Sequence, residues 1–318
     1  MVRVLFLGGL GRSGTTLLER LLGELPGVCP LGEVVHLWER DVADDERCAC
    51  GSHFSDCEFW RAVGEKAFGG WRNVDVWRVV ALREAVERTR YIPRLASLRM
   101  RPGHRILVEE YADWYARLYE AAAVVSGAHI VVDSSKHAAL AYCLRFAPDL
   151  DLRVVHVVRD SRGVAYSWTK RVARPETDGA EEMARYSPSR SALLWNAHNT
   201  ALTLLPRCGV PVLRVRYEEL LDAPAQTLRQ IAEFAELELS TMDFLEADNA
   251  PAIAHLGRCH SAAGNPMRFT VGPVPLRPDD AWRSALPVRQ RRVVSALTAP
   301  LLRRYGYLDD PRGYREAP

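Results

Sequence analysis

The chain opens with a short apolar run, a glycine-rich loop and a leucine-rich helical pattern. The run from Val4 to Leu7 has the length and β-branched character of a buried strand. The loop carries four glycines, and leucines then recur at helical spacing from Leu17 until the chain reaches Pro26. The pattern predicts a strand, a loop and a helix in immediate succession.

The same alternation resumes after residue 128. Apolar runs predict strands at 129–133, 152–158 and 211–216. A helical pattern follows the first of these strands and ends at about residue 146, and another follows the second and ends at about residue 172. Further helical patterns cover 189–206, 224–236 and 288–304. Such alternation is typical of an α/β domain whose parallel sheet is flanked by helices. The polar clusters follow the strands directly, at the sheet edge where ligands of such folds bind.

Two segments interrupt this rhythm. Residues 34–127 read as mostly helical, which predicts a large helical insertion after the first βα unit, a cap over the carboxyl edge of the sheet. Residues 248–287 are rich in Gly, Pro, His and Arg without periodicity, which indicates an irregular active-site loop. We therefore expect residues 1–318 to form one domain.

Composition narrows the class of protein. The 42 basic and 40 acidic residues nearly cancel, so no basic surface points to a nucleic-acid partner. The sequence contains no apolar run of 18 residues and therefore predicts no membrane span. The first strand begins within two residues of Met1, which leaves no room for a signal peptide, so the expected location is the cytoplasm. Oligomeric state stays open.

Cysteines cluster in the insertion. Cys48, Cys50 and Cys57 lie within ten residues of one another together with His53. Such a group can bind zinc, form a disulfide or simply pack. The spacing differs from the usual paired C-x2-C, and disulfides are uncommon in the cytosol, so we expect packing and no required metal.

The N-terminal loop carries the first candidate chemistry. Its G-x4-G spacing ends at Gly14 and is nearly a Walker A motif, but Thr15 stands where that motif has lysine. Arg12 supplies a cation inside the loop instead. Backbone N–H groups at the start of a helix bind phosphate, so the expected ligands are Arg12, Ser13, Gly14, Thr15 and Thr16.

A second anion site is indicated after the strand at 152–158. Arg159 follows that strand directly, and Gly163, Ser167 and Arg171 share one face of the predicted helix. The alternative interpretation is a solvent-facing polar stripe. Two separated anion sites suggest a ligand with phosphates at both ends.

Together these motifs resemble the sulfotransferases that use 3′-phosphoadenosine 5′-phosphosulfate (PAPS), which have a P-loop NTPase-like fold. The resemblance rests on Gly-Arg-Ser-Gly-Thr-Thr-Leu-Leu and on Val-Val-Arg-Asp-Ser-Arg-Gly-Val-Ala-Tyr-Ser-Trp. It implies that the first motif holds the 5′-phosphosulfate and that Arg159 and Ser167 hold the 3′-phosphate. It also extends to Arg171, Tyr217 and Arg268.

Within that family the chain is similar to the branch of bacterial and tyrosylprotein sulfotransferases. This similarity implies Glu33 as general base, with Arg12 and Lys136 stabilising the transferring group. Cytosolic sulfotransferases use a histidine base, so His36 and His137 remain alternatives. The expected acceptor is a hydroxyl, and a small phenol or alcohol, a carbohydrate and a peptidyl tyrosine all remain open. Aromatic residues in the insertion mildly favour a small phenol or alcohol.

Two other functions stay open. A P-loop kinase or NTPase would use the same strand–loop–helix unit, but Thr15 replaces its lysine. A catalytically inactive protein that binds PAP, the desulfated nucleotide, would need only the two anion sites.

Overall fold

A computed structural model describes residues 1–97, 99–175, 181–239, 241–249 and 251–308. Its centre is a five-stranded sheet with the order β2-β3-β1-β4-β5. All four strand pairs are parallel. The strands are β1 (Val2–Gly8), β2 (Val28–Pro30), β3 (Ile130–Lys136), β4 (Leu150–Val158) and β5 (Val212–Arg216).

Helices cover both faces of this sheet, as the alternating pattern predicts, because each has an apolar side to bury. The helices are α1 (Thr15–Gly23), α2 (Glu58–Phe68), α3 (Val76–Val86), α4 (Ile92–Leu95), α5 (Pro102–Ser126), α6 (Ala138–Leu144), α7 (Ser161–Thr169), α8 (Pro188–Leu204), α9 (Tyr217–Asp222), α10 (Pro224–Phe234), α11 (Trp282–Ala285) and α12 (Val288–Arg304). None of the described helices is both long and apolar enough to cross a bilayer.

The helical insertion comprises α2 to α5 and lies between β2 and β3. It is more than a cap over the carboxyl edge, because α5 packs against a face of the sheet. The insertion and the sheet share one apolar core, in which Trp38 and Tyr115 belong to the same cluster as Phe6 and Val131. The insertion is thus part of the body of the domain.

The sequence patterns do not predict four short strands. Residues 28–30 form the edge strand β2. A three-stranded antiparallel sheet has the order β6-β7-β8 and consists of β6 (Leu245–Glu246), β7 (Ile253–Leu256) and β8 (Gly272–Pro275), so the segment 248–287, expected to be irregular, contains two of its strands. Strands of two to four residues are too short to show a detectable alternation of apolar and polar positions.

Candidate active site

A cavity of about 590 Å³ opens at the carboxyl ends of β1, β3, β4 and β5. The loop before α1 forms one wall of the cavity. The first residues after β3, helix α7 and the segment around Gly264 form much of the rest. The topology of a parallel sheet therefore brings the separate polar motifs to one place.

The loop before α1 has a left-handed turn at its end. Gly14 has φ 90°, and a Cβ there would lie 2.2 Å from Cδ2 of the Tyr217 ring, so the position requires glycine. The side-chain oxygens of Ser13 and Thr15 are buried without a hydrogen-bond partner among the described residues. Two orphaned hydroxyls beside the N-terminus of α1 fit a bound anion, which would accept their hydrogen bonds.

Arg12 contacts Trp168, which ends the second sequence motif, and Met183, which belongs to no motif. Its guanidinium is 5.3 Å from the centroid of the Trp168 ring, and its Nη2 is 3.4 Å from Sδ of Met183. Trp168 donates a hydrogen bond from Nε1 to the Gly11 carbonyl at 3.0 Å and packs on the Tyr186 ring at 4.4 Å. Trp168 is the last residue of the second motif, although the sequence assigns it no role, and Met183 and Tyr186 give no sequence signal.

Glu33 and Lys136 form an ion pair on the cavity wall, and both side chains are largely buried. Burial alone would raise the pKa of Glu33, but the Lys136 ammonium outweighs this effect and holds that pKa below its ordinary value. The backbone N–H of Glu33 donates to the Ala262 carbonyl at 3.1 Å. Glu33 is therefore a positioned, ionised carboxylate.

Three histidines also line the cavity. About a third of His36 is exposed, yet the surrounding protein removes most of its hydration, and this burial lowers its pKa to about 3. Burial likewise lowers the pKa of His198 to about 4. His137 differs, because its Nδ1 is 2.7 Å from the buried carboxylate of Glu87. The Glu87–His137 pair is thus the arrangement among these histidines that suits a general base.

Arg159 reaches the same cavity from the end of β4. Its guanidinium lies over the Tyr217 ring at 4.6 Å and donates to the Arg12 carbonyl at 3.0 Å. It also pairs with Asp279 at 3.2 Å, and Lys170 contacts the same carboxylate oxygen at 3.2 Å. Burial opposes ionisation of Asp279, but Arg159 and Lys170 prevail and lower its pKa. Asp279, which the sequence analysis did not single out, therefore pairs with Arg159, the main cation of the predicted second anion site.

Two predicted ligands lie elsewhere. Helix α7 ends at Thr169, earlier than predicted, so Arg171 is not on its face with Ser167; its side chain is 73% exposed and pairs with Glu182. Arg268 is buried outside the cavity and donates to the carbonyls of Ser261 and Arg47. Ser167 itself lines the cavity.

Most aromatic side chains of the insertion contribute to the core, as the sequence predicts, although Trp77 is exposed. Trp60, Tyr111, Tyr115 and Tyr119 are fully buried, and none lines the cavity. These residues therefore give no support to an aromatic acceptor. The aromatic rings of the cavity belong to Trp168, Tyr186 and Tyr217 among others.

The parallel sheet and the glycine loop define an α/β protein of the P-loop-like class whose phosphate loop carries arginine instead of the Walker lysine. The profile of the sulfotransferase family matches residues 5–241. The chain belongs to the sulfotransferase family, as the motifs predict, and this membership disfavours the kinase or NTPase alternative.

Individual relatives are distant. Human carbohydrate sulfotransferase 3 is 26% identical over 175 residues, which cover 50% of this chain and 34% of the relative. The chain thus spans about a third of the length of that curated relative. The sulfotransferase domain from the curacin biosynthetic pathway aligns with a TM-score of 0.51 at 16% identity, covering 95% of this chain and 98% of that domain. The sulfotransferase domain of the Synechococcus PCC 7002 olefin synthase aligns with a TM-score of 0.45 at 19% identity, covering 93% and 94%.

Proposed function

We propose that the protein transfers a sulfuryl group from PAPS to the hydroxyl of a small-molecule acceptor. The observation that carries the proposal is that one cavity contains the Arg12 loop, Arg159 with Ser167, and the Glu33–Lys136 pair. Family membership supports sulfuryl transfer, and the two separated cationic regions support a donor with phosphates at both ends.

The residues fit the donor on structural grounds. The orphaned hydroxyls of Ser13 and Thr15 and the N-terminal N–H groups of α1 would hold the 5′-phosphosulfate, and Thr16 would add a further hydroxyl. Arg159 and Ser167 would hold the 3′-phosphate, and Tyr217 would close the site over Gly14. When bound, PAPS supplies an activated sulfuryl group and leaves as PAP.

The proposed catalytic roles follow from charge and position. Glu33 accepts the acceptor's hydroxyl proton, because its depressed pKa keeps it ionised at neutral pH. Lys136 and Arg12 neutralise negative charge that develops on the transferring and leaving oxygens. Since Lys136 pairs with Glu33 in this structure, Lys136 must exchange that contact for the transferring group, and the exchange frees the carboxylate.

The acceptor is proposed as a small phenol or alcohol. A cavity of about 590 Å³ lies in the size range of small-molecule sites, and apolar side chains such as Leu194 and Met183 line part of it. The alternative acceptor is a peptide hydroxyl, and a screen of acceptors distinguishes it from a small phenol or alcohol.

The test begins with ligand-induced thermal stabilisation. PAP should raise the melting temperature, whereas AMP and Mg²⁺–ATP should have little effect; saturation at 100 times Kd adds about 2.7 kcal/mol of stability. Arg159→Ala should weaken the effect of PAP, while Arg171→Ala serves as a matched arginine control. Transfer of radiolabelled sulfate from PAPS to phenols, alcohols and tyrosyl peptides then identifies the acceptor class. Stabilisation by Mg²⁺–ATP but not by PAP contradicts the proposal, and PAP binding without transfer to any acceptor leaves a nucleotide-binding protein.

A further inference from the structure

Three thiols and one imidazole meet away from the cavity. Cys48, Cys50 and Cys57 come from the start of the insertion, and His260 comes from the segment after β7. One ligand atom from each residue lies within 4.8 Å of every other. More than 200 residues of chain separate His260 from the cysteines, so the fold has assembled this group.

His53, the histidine that the sequence placed in this cluster, is not a member. Its side chain is 55% exposed, and its Nδ1 lies 3.0 Å from the carbonyl of Asp45. Proximity in sequence suggested the wrong histidine, because the turn at residues 51–56 directs His53 away from the three thiols while β7 delivers His260 to them.

The spacing of the four atoms matches a tetrahedral metal site. Zinc–sulfur bonds of about 2.3 Å and a zinc–nitrogen bond of about 2.0 Å place tetrahedral ligands roughly 3.5–3.8 Å apart. His260 Nδ1 is 3.2 Å from Cys57 Sγ and 3.9 Å from Cys48 Sγ, and the sulfurs of Cys50 and Cys57 are 3.8 Å apart. All three cysteines are free thiols. We propose that these four residues bind one structural Zn²⁺ ion in a Cys3His site.

The surrounding structure holds the ligands in place. The His260 ring stacks on Phe59 at 5.1 Å, and its backbone carbonyl accepts a hydrogen bond from Trp60 Nε1 at 2.7 Å. The Cys48 N–H donates to the Ser52 carbonyl at 2.9 Å, which closes the turn between the thiols. Because Cys48 and Cys57 are buried, the site is shielded from water, as structural zinc sites are.

The metal would join the insertion to the carboxyl edge of the sheet. Two residues after His260, Ala262 donates its N–H to the Leu31 carbonyl at 2.7 Å and accepts the N–H of Glu33 at 3.1 Å. The ion would thus fix the segment against which the Glu33 backbone rests. This inference does not depend on PAPS or on any acceptor.

The experiment measures metal in the full-length protein purified from zinc-supplemented medium. Elemental analysis should give about one zinc per chain, and replacement with Co²⁺ should give intense tetrahedral d–d and thiolate charge-transfer absorption. His260→Ala should shift the cobalt spectrum and lower zinc retention, whereas His53→Ala should leave both unchanged. Cys57→Ser should lower zinc retention, with Cys208→Ser as the matched cysteine control.

Removal of metal from the wild-type protein provides a second test, which does not depend on whether the variants fold. Chelation should lower its melting temperature, and Zn²⁺ but not Mg²⁺ should restore it. The proposal would be overturned if protein from supplemented medium contained zinc only at background level and alkylating reagents modified all three thiols. A Cys50–Cys57 disulfide found by peptide mass mapping would overturn it as well.

Discussion

Glu33 shows how much of a single residue's chemistry depends on its neighbours. The motif indicates a candidate base, but an isolated glutamate in a buried site would take up a proton. Lys136 keeps this carboxylate ionised. That partner comes from a different element, the end of β3, so the motif alone does not predict the ionised state.

The depressed pKa of Glu33 predicts the acid limb of the pH–rate profile. A carboxylate with a lowered pKa takes up a proton only when the pH falls to that lowered value. The value of kcat/KM should therefore stay constant as the pH falls to about 4.3, the ordinary pKa of glutamate, and decrease only below it. Glu33→Gln should reduce turnover by about 10²–10⁴-fold.

His137→Asn is the control for that profile, because it removes the alternative base supported by Glu87. It should leave the acid limb in place. A limb near neutral pH that vanishes in His137→Asn would transfer the role of base from Glu33 to the Glu87–His137 pair.

Sequence patterns identified three cationic residues of the site but missed Asp279, the carboxylate that pairs with one of them. Arg12, Lys136 and Arg159 all line the cavity, because each lies at or just after the end of a strand, and these strand ends share one sheet edge. Arg171 and Arg268 do not line the cavity. Arg171 lies beyond the end of α7, and Arg268 is buried where it donates to the carbonyls of Ser261 and Arg47. Such tertiary partners leave no local pattern.

At the scale of elements, helix α1 has a second role beyond its N-terminus. The buried carboxylate of Glu19 accepts hydrogen bonds from the Gly32 N–H at 2.7 Å, Ser134 Oγ at 2.6 Å and Ser261 Oγ at 2.7 Å. One side chain therefore ties together the loop before Glu33, the end of β3 and the segment after β7. Burial raises the pKa of Glu19, although the hydrogen bonds oppose the shift.

We expect Glu19→Gln to destabilise the protein by about 1–3 kcal/mol, because an amide nitrogen would face groups that are themselves donors. Since the pKa of Glu19 is raised in the folded state, wild-type stability declines as pH rises through that pKa, and the gap to the non-titrating variant should narrow. Denaturant unfolding at several pH values measures both effects. Glu58→Gln, an exposed change at the start of α2, should have no comparable effect.

Long elements were predictable and short ones were not. The strands β1, β3, β4 and β5 and the helix α12 lie close to their predicted positions, because buried runs and helical periodicity extend over many residues. The strands β2, β6, β7 and β8 have two to four residues each, and pairing across the chain rather than local pattern creates them.

For the whole molecule, the shared core predicts cooperative unfolding. Trp38 is fully buried in the insertion, where its Nε1 donates to Tyr115 at 3.1 Å, and the same apolar cluster reaches Phe6 in β1. Trp38→Ala should cost about 3–5 kcal/mol. Because the insertion and the sheet share this cluster, far-UV circular dichroism and tryptophan fluorescence should still report one coincident transition.

Trp77 is the matched tryptophan for this experiment. It lies in α3 with 69% of its surface exposed, so Trp77→Ala should change stability little. Two separate transitions in the Trp38→Ala protein would instead show that the insertion unfolds independently of the sheet.

At the predicted second anion site, Arg159 already forms an ion pair with the carboxylate of Asp279. A phosphate that binds Arg159 must displace a carboxylate already there, and Lys170, which touches the same oxygen, can retain the released Asp279. The net gain in attraction is then smaller than the number of arginines suggests, so nucleotide affinity should depend only weakly on ionic strength. Asp279→Asn removes the competing anion; calorimetry should show tighter PAP binding and a steeper loss of affinity with added salt.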